Sequence, residues 1–198
     1  MKTPSFLSAL LVIATTAMLA ACSSPPPPEP LEPLKLTGSS YTFNVGSINV
    51  VQDYHSPKVP PNVEHMGDLS PTQAVKQWAG TRLVAAGHDN SLEVAIEDAS
   101  IVRRELPKEK TGIEGMLTTE QTEQFDGTLH VILKIYNPQN ALPVAHVEAS
   151  AHASQTLPQN AAPIDRERAV HRISVELMKL IEPQLDADIQ RYLSSYLL

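Results

Sequence analysis

Leu129-His130-Val131-Ile132-Leu133-Lys134-Ile135-Tyr136 decides the fold. Leu129, Val131, Leu133 and Ile135 fall on one face, and His130, Lys134 and Tyr136 on the other, the period of a strand half-buried in a sheet. Asn137-Pro138-Gln139-Asn140 turns the chain. A second alternation follows, with Ala145, Val147, Ala149, Ala151 and Ala153 set against His146, Glu148, Ser150, His152 and Ser154. A strand whose inner face is mostly alanine admits a helix at close range, so the last helix is expected to cross it.

Upstream, Leu92, Val94 and Ile96 oppose Glu93 and Glu97, and the run passes through Ile101 and Val102 with a change of phase, as at a bulge. Residues 107–124 are polar and contain glycine, and read as a long hairpin connection. Further back, Ser70-Pro71-Thr72-Gln73 has the form of a capping box with proline at the first helical position. It opens a helix from Pro71 to about Ala86, closed by Gly87. Its inward face would hold Ala74, Val75, Trp78, Leu83 or the stem of Arg82, and Ala86. Tyr41, Phe43 and Val45, continued past Gly46 by Ile48, Val50 and Val51, read as an opening strand, and residues 55–69 as a loop.

Downstream, Pro163 and Asp165 mark the start of a helix whose stripe is Ala169, Ile173, Leu177 and Leu180 or Ile181. Pro183 is expected to kink or break it. Leu185, Ile189, Tyr192, Leu193 and Tyr196 then resume the stripe. The expected class is α+β: an antiparallel sheet of about four strands covered on one face by two helices, in the order β-α-β-β-β-α. Residues 36–198 would form this single domain.

The N-terminus has another character. Lys2 precedes an apolar run from Phe6 to Leu19, the length of a signal-peptide core and short of the about 20 residues of a bilayer-spanning helix. Leu19-Ala20-Ala21-Cys22 resembles the lipobox of bacterial lipoprotein precursors. The resemblance implies cleavage after residue 21 and an acyl and diacylglycerol anchor on Cys22. The alternatives are an ordinary signal peptide with an incidental cysteine, or a short anchor helix. Two observations favour the lipoprotein: Cys22 is the only cysteine in the chain, so it has no internal disulfide partner, and a proline-rich tether follows it directly. Residues 22–35 make up the lipidated cysteine and that tether, with Pro25, Pro26, Pro27, Pro28, Pro30 and Pro33. In polyproline II this segment would hold the domain roughly 30–40 Å from the headgroups. Ser23 after the cysteine resembles lipoproteins sorted to the outer membrane of Gram-negative bacteria, which implies a domain facing the periplasm.

The rest of the chain offers no chemistry of its own. The formal charge of −7 argues against nucleic acid, whose binders concentrate basic residues. His130, His146 and His152 lie on the outward sheet face, but the last two are about 20 Å apart along a strand, so all three cannot share one ion. His55, His65 and His88 sit in loops. There is no Gly-x-Ser-x-Gly elbow, no Ser-x-x-Lys motif and no glycine-rich phosphate loop. Glu93/Glu97 and Asp186/Asp188 read as solvated faces, without the buried setting that separates acid from base. The expectation is therefore a non-enzymatic protein with no metal and no cofactor beyond its lipid anchor. Its candidate partner-binding residues are Trp78, which reads more readily as core, and Tyr192 and Tyr196 in the apolar C-terminal segment.

The layout as a whole resembles small envelope lipoproteins of Gram-negative bacteria. A helix with a stretch like Gln77-Trp78-Ala79-Gly80-Thr81-Arg82-Leu83 ahead of the strands is similar to the auxiliary lipoproteins of lipid-transporting ABC systems, and the plan is similar to the LPS-assembly lipoproteins. The resemblance implies an accessory protein that binds an envelope partner in lipid or lipopolysaccharide transport. The alternative is a structural scaffold of the envelope or of a secretion complex. A hydrophobic groove between sheet and helices would favour transport, and a filled core with an exposed patch would favour scaffolding. Clustered buried titratable groups would favour an enzyme.

Overall fold

The computed structural model describes residues 30–107, 121–158 and 160–198. Its elements follow in the order β1 (Tyr41–Phe43), β2 (Ser47–Gln52), α1 (Pro71–Arg82), β3 (Leu83–Ala85), β4 (Ser91–Glu105), β5 (Gln121–Tyr136), β6 (Ala145–Pro158) and α2 (Pro163–Tyr192), closed by a 3-10 turn at Ser194–Tyr196. Residues Leu31–Leu198 form one compact unit. The class is α+β, with a four-stranded sheet in the order β2-β4-β5-β6, two helices, and a small two-stranded sheet of β1 and β3.

The alternation in β5 does what a period of two requires. Phe125, Leu129, Val131, Leu133 and Ile135 are fully buried, while the alternate residues from Asp126 to Tyr136 stay partly in solvent. On β6 they meet a shallow face: Leu129 is opposite Ala151, Val131 opposite Ala149 and Leu133 opposite Val147. Small side chains there let α2 settle directly on the sheet. Gly127 of β5 lies under Ile173 and Leu177, and a Cβ at that position would stand only 3.0 Å from Leu177 Cδ1. The phase change in β4 is a register irregularity between Ile96 and Asp98. It moves the buried set from Leu92, Val94 and Ile96 to Ala99 and Ile101, because one extra residue reverses the side-chain faces downstream.

The capping box on α1 is complete: Ser70 Oγ accepts from the Gln73 amide at 3.3 Å, and Gln73 Oε1 accepts from the Ser70 amide at 2.8 Å. Here, however, the helix ends at Arg82, four residues earlier than its apolar pattern suggests. Leu83 is already extended, at φ −112° and ψ 125°, and Leu83–Ala85 pair in parallel with Tyr41–Phe43. The opening strand divides for a related reason. Around Gly46 and Gly87 the two segments pass backbone to backbone: Gly87 N donates to Val45 O at 2.9 Å and Gly46 N to Asn90 O at 2.7 Å. A Cβ on Gly46 would come within 2.6 Å of the His88 carbonyl, so only glycine permits the crossing. Beyond it, β2 joins β4 in parallel, Ser47 opposite Ser91 through Gln52 opposite Ile96. The sheet is thus antiparallel except at its β2 edge.

Two further expectations shift. β5 begins at Gln121 and Leu106 N donates to Thr122 O at 2.7 Å, so residues 121–124 of the expected 107–124 connection belong to the ladder, and residues 108–120 lie outside the described residues. Pro183 does not break α2, which runs 30 residues through it.

Candidate docking surface

Cys22, the expected leader before it and most of the expected tether lie outside the described residues. The described chain begins where the tether meets the domain, and there it is laid along α2. His171 sits between two acceptors, with Nδ1 2.6 Å from Asp68 Oδ1 and Nε2 2.8 Å from the Glu32 carbonyl. Lys179 Nζ donates to Glu32 Oε2 at 3.3 Å. Farther along, Glu182 Oε2 accepts from the Thr37 amide at 3.3 Å, and Gln190 Nε2 donates to the Tyr41 hydroxyl at 3.1 Å. At 1.5 Å per residue, the span from His171 to Gln190 is about 28 Å of helix.

A buried charge cluster holds the centre of this seam. Arg82 is 2% exposed. Its guanidinium donates to Glu182, to Asp186 Oδ1 at 2.8 Å and to the Ser39 carbonyl at 2.8 Å, and lies 5.7 Å from the centre of the Tyr41 ring. Asp186 is therefore half-buried and paired with a buried guanidinium, and is not simply part of a solvated face. The signal was present in spacing. Arg82 continues the stripe Val75, Trp78, Ala79, and Glu182 continues Met178, Ile181, Leu185, so each charge falls where an apolar residue belongs. A charge in such a position needs a partner. The cluster is paired within itself, and Gly38 covers its arginine so closely that any side chain there would collide with the guanidinium.

A second buried carboxylate, Glu64, is 3% exposed. Oε1 accepts from the Tyr54 hydroxyl at 2.7 Å and Oε2 from the Ile101 amide at 3.2 Å. Burial pushes its pKa up, but hydrogen bonds from Ser56, Tyr54 and backbone amides outweigh burial and hold it below the ordinary glutamate value. The same burial, with the Glu64 carboxylate beside it, raises the Tyr54 phenol well above its usual range. Both groups join the residue 54–64 loop to β4, and Glu64 also lines a cleft with Ser56, His65, Gln73 and Lys76.

Trp78 is fully buried at 0% exposure, so in this fold it belongs to the core and is not presented to a partner. Tyr192 is 55% exposed, with Arg191 over its ring at 5.1 Å. Tyr196 is half-buried, because the C-terminus folds back along β1. Tyr196 O accepts from Asn44 N at 2.7 Å, Leu197 bridges Phe43, and Leu198 N donates to Thr42 O at 2.9 Å. Leu198 remains 72% exposed and Val84, opposite Thr42 in the β1–β3 pair, 44%. These two exposed apolar residues therefore flank one strand.

The outward histidines are spread along the sheet: His130 lies opposite Ser150, His146 opposite Lys134 and His152 opposite Thr128. Among the described residues no group of three histidine, cysteine or carboxylate side chains is placed to hold a metal ion. No described helix is long and apolar enough to cross a membrane.

No family model and no curated protein matches the chain. Similar solved structures include a minor lipoprotein from Acinetobacter baumannii, 11% identical with a TM-score of 0.42, the match covering 74% of this chain and 92% of that one. Another is an uncharacterized lipoprotein B from Nitrosomonas europaea, at 14% identity and a TM-score of 0.33, covering 81% and 89%. A third is a protein from Xanthomonas campestris, at 12% and 0.28, covering 76% and 91%. Likenesses this distant carry no argument about what the chain does.

Proposed function

We propose that this chain is a lipid-anchored accessory protein of the cell envelope, fixed through Cys22 to the periplasmic face of the outer membrane, and that it works by docking another envelope component. The observation that carries the reading is the run Leu19-Ala20-Ala21-Cys22 with its proline-rich tether. Docking is preferred to catalysis because the buried Arg82–Glu182–Asp186 cluster is paired within itself, so that no member of it is free to act on a substrate.

The space between sheet and helices is filled by Leu129, Leu133, Ile173, Leu177 and their neighbours. In lipid or lipopolysaccharide transport the domain would therefore hold a transporter or barrel and would not carry an acyl chain itself. The same filled interior favours, as a second reading, a scaffold of peptidoglycan or of a secretion complex. Photo-crosslinking in the native envelope separates the two, with probes at Tyr192 and Tyr196 and a buried control at Trp78. Crosslinks from Tyr192 to a transporter or outer-membrane barrel support the transport role, and crosslinks to peptidoglycan-associated or secretion proteins support the scaffold. Silence at Tyr192 removes this surface as the docking face. In the same cells, Cys22→Ser should abolish metabolic labelling of the chain with palmitate, and labelling that persists would sink the anchor.

A further inference from the structure

β6 is an edge strand of 14 residues, and among the described residues its outer edge pairs with no other strand. Edges of this kind are normally protected by shortness, by lysine or proline, or by a bulge. The opposite edge, β2, is short at 6 residues. β6 has none of these defences along its middle: Glu148 is its single formally charged residue, proline occurs only at Pro158, and the register irregularity against β5 lies at the far end, between Gln121 and Glu123. The backbone groups of an unpaired strand template the addition of another.

We propose that this edge pairs with β6 of a second copy of the chain, antiparallel about a two-fold axis at Ser150. The commitment to a second copy comes from the strand's own charge pattern. On the outward face, the axis at Ser150 sets Glu148 against the partner's His152, and His152 against the partner's Glu148, a carboxylate facing an imidazole twice over. His146 then faces the partner's Ser154, and on the helix side Ala149 faces the partner's Ala151 and Val147 the partner's Ala153, small enough to continue the layer. Axes at Ala149 or Ala151 would set Glu148 against the partner's Ser150 or Ser154, and axes at Glu148 or His152 would oppose like groups. An axis at Val147 also gives a carboxylate–imidazole pair, but only Ala145–Ala149 overlap, whereas the axis at Ser150 overlaps Ala145–Gln155.

The surface around the strand agrees. Glu148 reaches His130 at 3.6 Å yet its side chain keeps 65% of its exposure, so it is free to meet a second imidazole. Leu142 and Val144, 77% and 42% exposed just before the strand, would be covered by the partner's Pro158 and Thr156. This pairing is independent of the anchor at Cys22 and would give an eight-stranded sheet with helices on one face.

Cysteine crosslinking in the full chain, in its native envelope under mild oxidation, tests the pairing residue by residue. Directly opposed residues have Cα atoms about 4.5–5.5 Å apart, within disulfide reach. Glu148 and the partner's Glu148 would be offset by four residues, about 13 Å. Ser150→Cys should therefore give a band of twice the monomer mass, and Glu148→Cys should not. Glu148→Cys co-expressed with His152→Cys should restore the band. All three positions are exposed, so the substitutions leave the core untouched, and the unsubstituted chain with its natural cysteine is the blank. The proposal fails if neither Ser150→Cys nor the mixed pair crosslinks, if Glu148→Cys alone crosslinks as strongly, or if the product contains a different protein.

Discussion

Glu64 shows how a buried carboxylate is kept ionised. Its two oxygens receive the Tyr54 hydroxyl and the Ile101 amide, and those bonds outweigh the burial that would otherwise raise its pKa. The folded value therefore lies below the unfolded one, about 4.3. A depressed carboxylate contributes stability that is complete above the unfolded value and is lost as the pH falls through the folded one. Glu64→Gln should cost about 1–3 kcal/mol at pH 7, with the difference from the parent shrinking below about pH 4. Urea unfolding at pH 7 and pH 3 measures this, and a penalty that does not change with pH would refute it. The Glu123–Arg166 pair, in which the guanidinium's hydrogen bonds lower the carboxylate's pKa, has the same sign but is present in both proteins and cancels. At this scale the sequence is readable only in part. The interruption of two apolar stripes by Arg82 and Glu182 is visible in it, but nothing in the loop sequence around Glu64 shows that Tyr54 and Ile101 converge there.

α2 carries Pro183 through its middle without ending. The proline removes an amide donor and crowds the preceding turn, at about 3 kcal/mol in a helix interior. The Lys179 carbonyl loses its i+4 donor, and beside that gap the Gln184 side-chain amide adds a bond to the Leu180 carbonyl at 2.9 Å. The loss is outweighed by tertiary burial, since Ile181, Leu185 and Ile189 are fully buried around it and each contributes about 1.5–3 kcal/mol. Pro183 itself is exposed, so Pro183→Ala should raise stability by about 1–3 kcal/mol, seen as a higher Tm. An unchanged or lower Tm would mean that the proline shapes the helix to the sheet. Elements with a strong local period were legible: β5, β6, the capped start of α1 and the bulge in β4. Those that depend on a distant partner were not, as with β3, which takes the residues after Arg82 out of the helix because Tyr41–Phe43 lie beside them.

The molecule is tied together by contacts between distant parts of the chain, and Arg82 is the clearest of them. It joins the segment entering the domain, through Ser39 and Tyr41, to Glu182 and Asp186 near the end of α2. Removing one member of such a cluster leaves the others charged and buried, typically at about 3–5 kcal/mol, whereas replacing both with apolar residues is often close to neutral. Arg82→Met should therefore destabilise the protein strongly, and Arg82→Met with Glu182→Leu should recover most of the loss. Chemical denaturation of the two variants measures this, and a double variant as weak as the single one would show that the arginine acts through other contacts. By itself the sequence determined what short-range spacing encodes: the strand and helix periods, the cap, the bulge and the lipobox pattern at Cys22. Only the tertiary structure decided the parallel pairings of β1 with β3 and β2 with β4, the burial of Trp78 and Arg82, and the open edge of β6. The reason is physical: periodicity reports which face of an element is apolar, while strand partners and charge compensation depend on residues brought together from far along the chain.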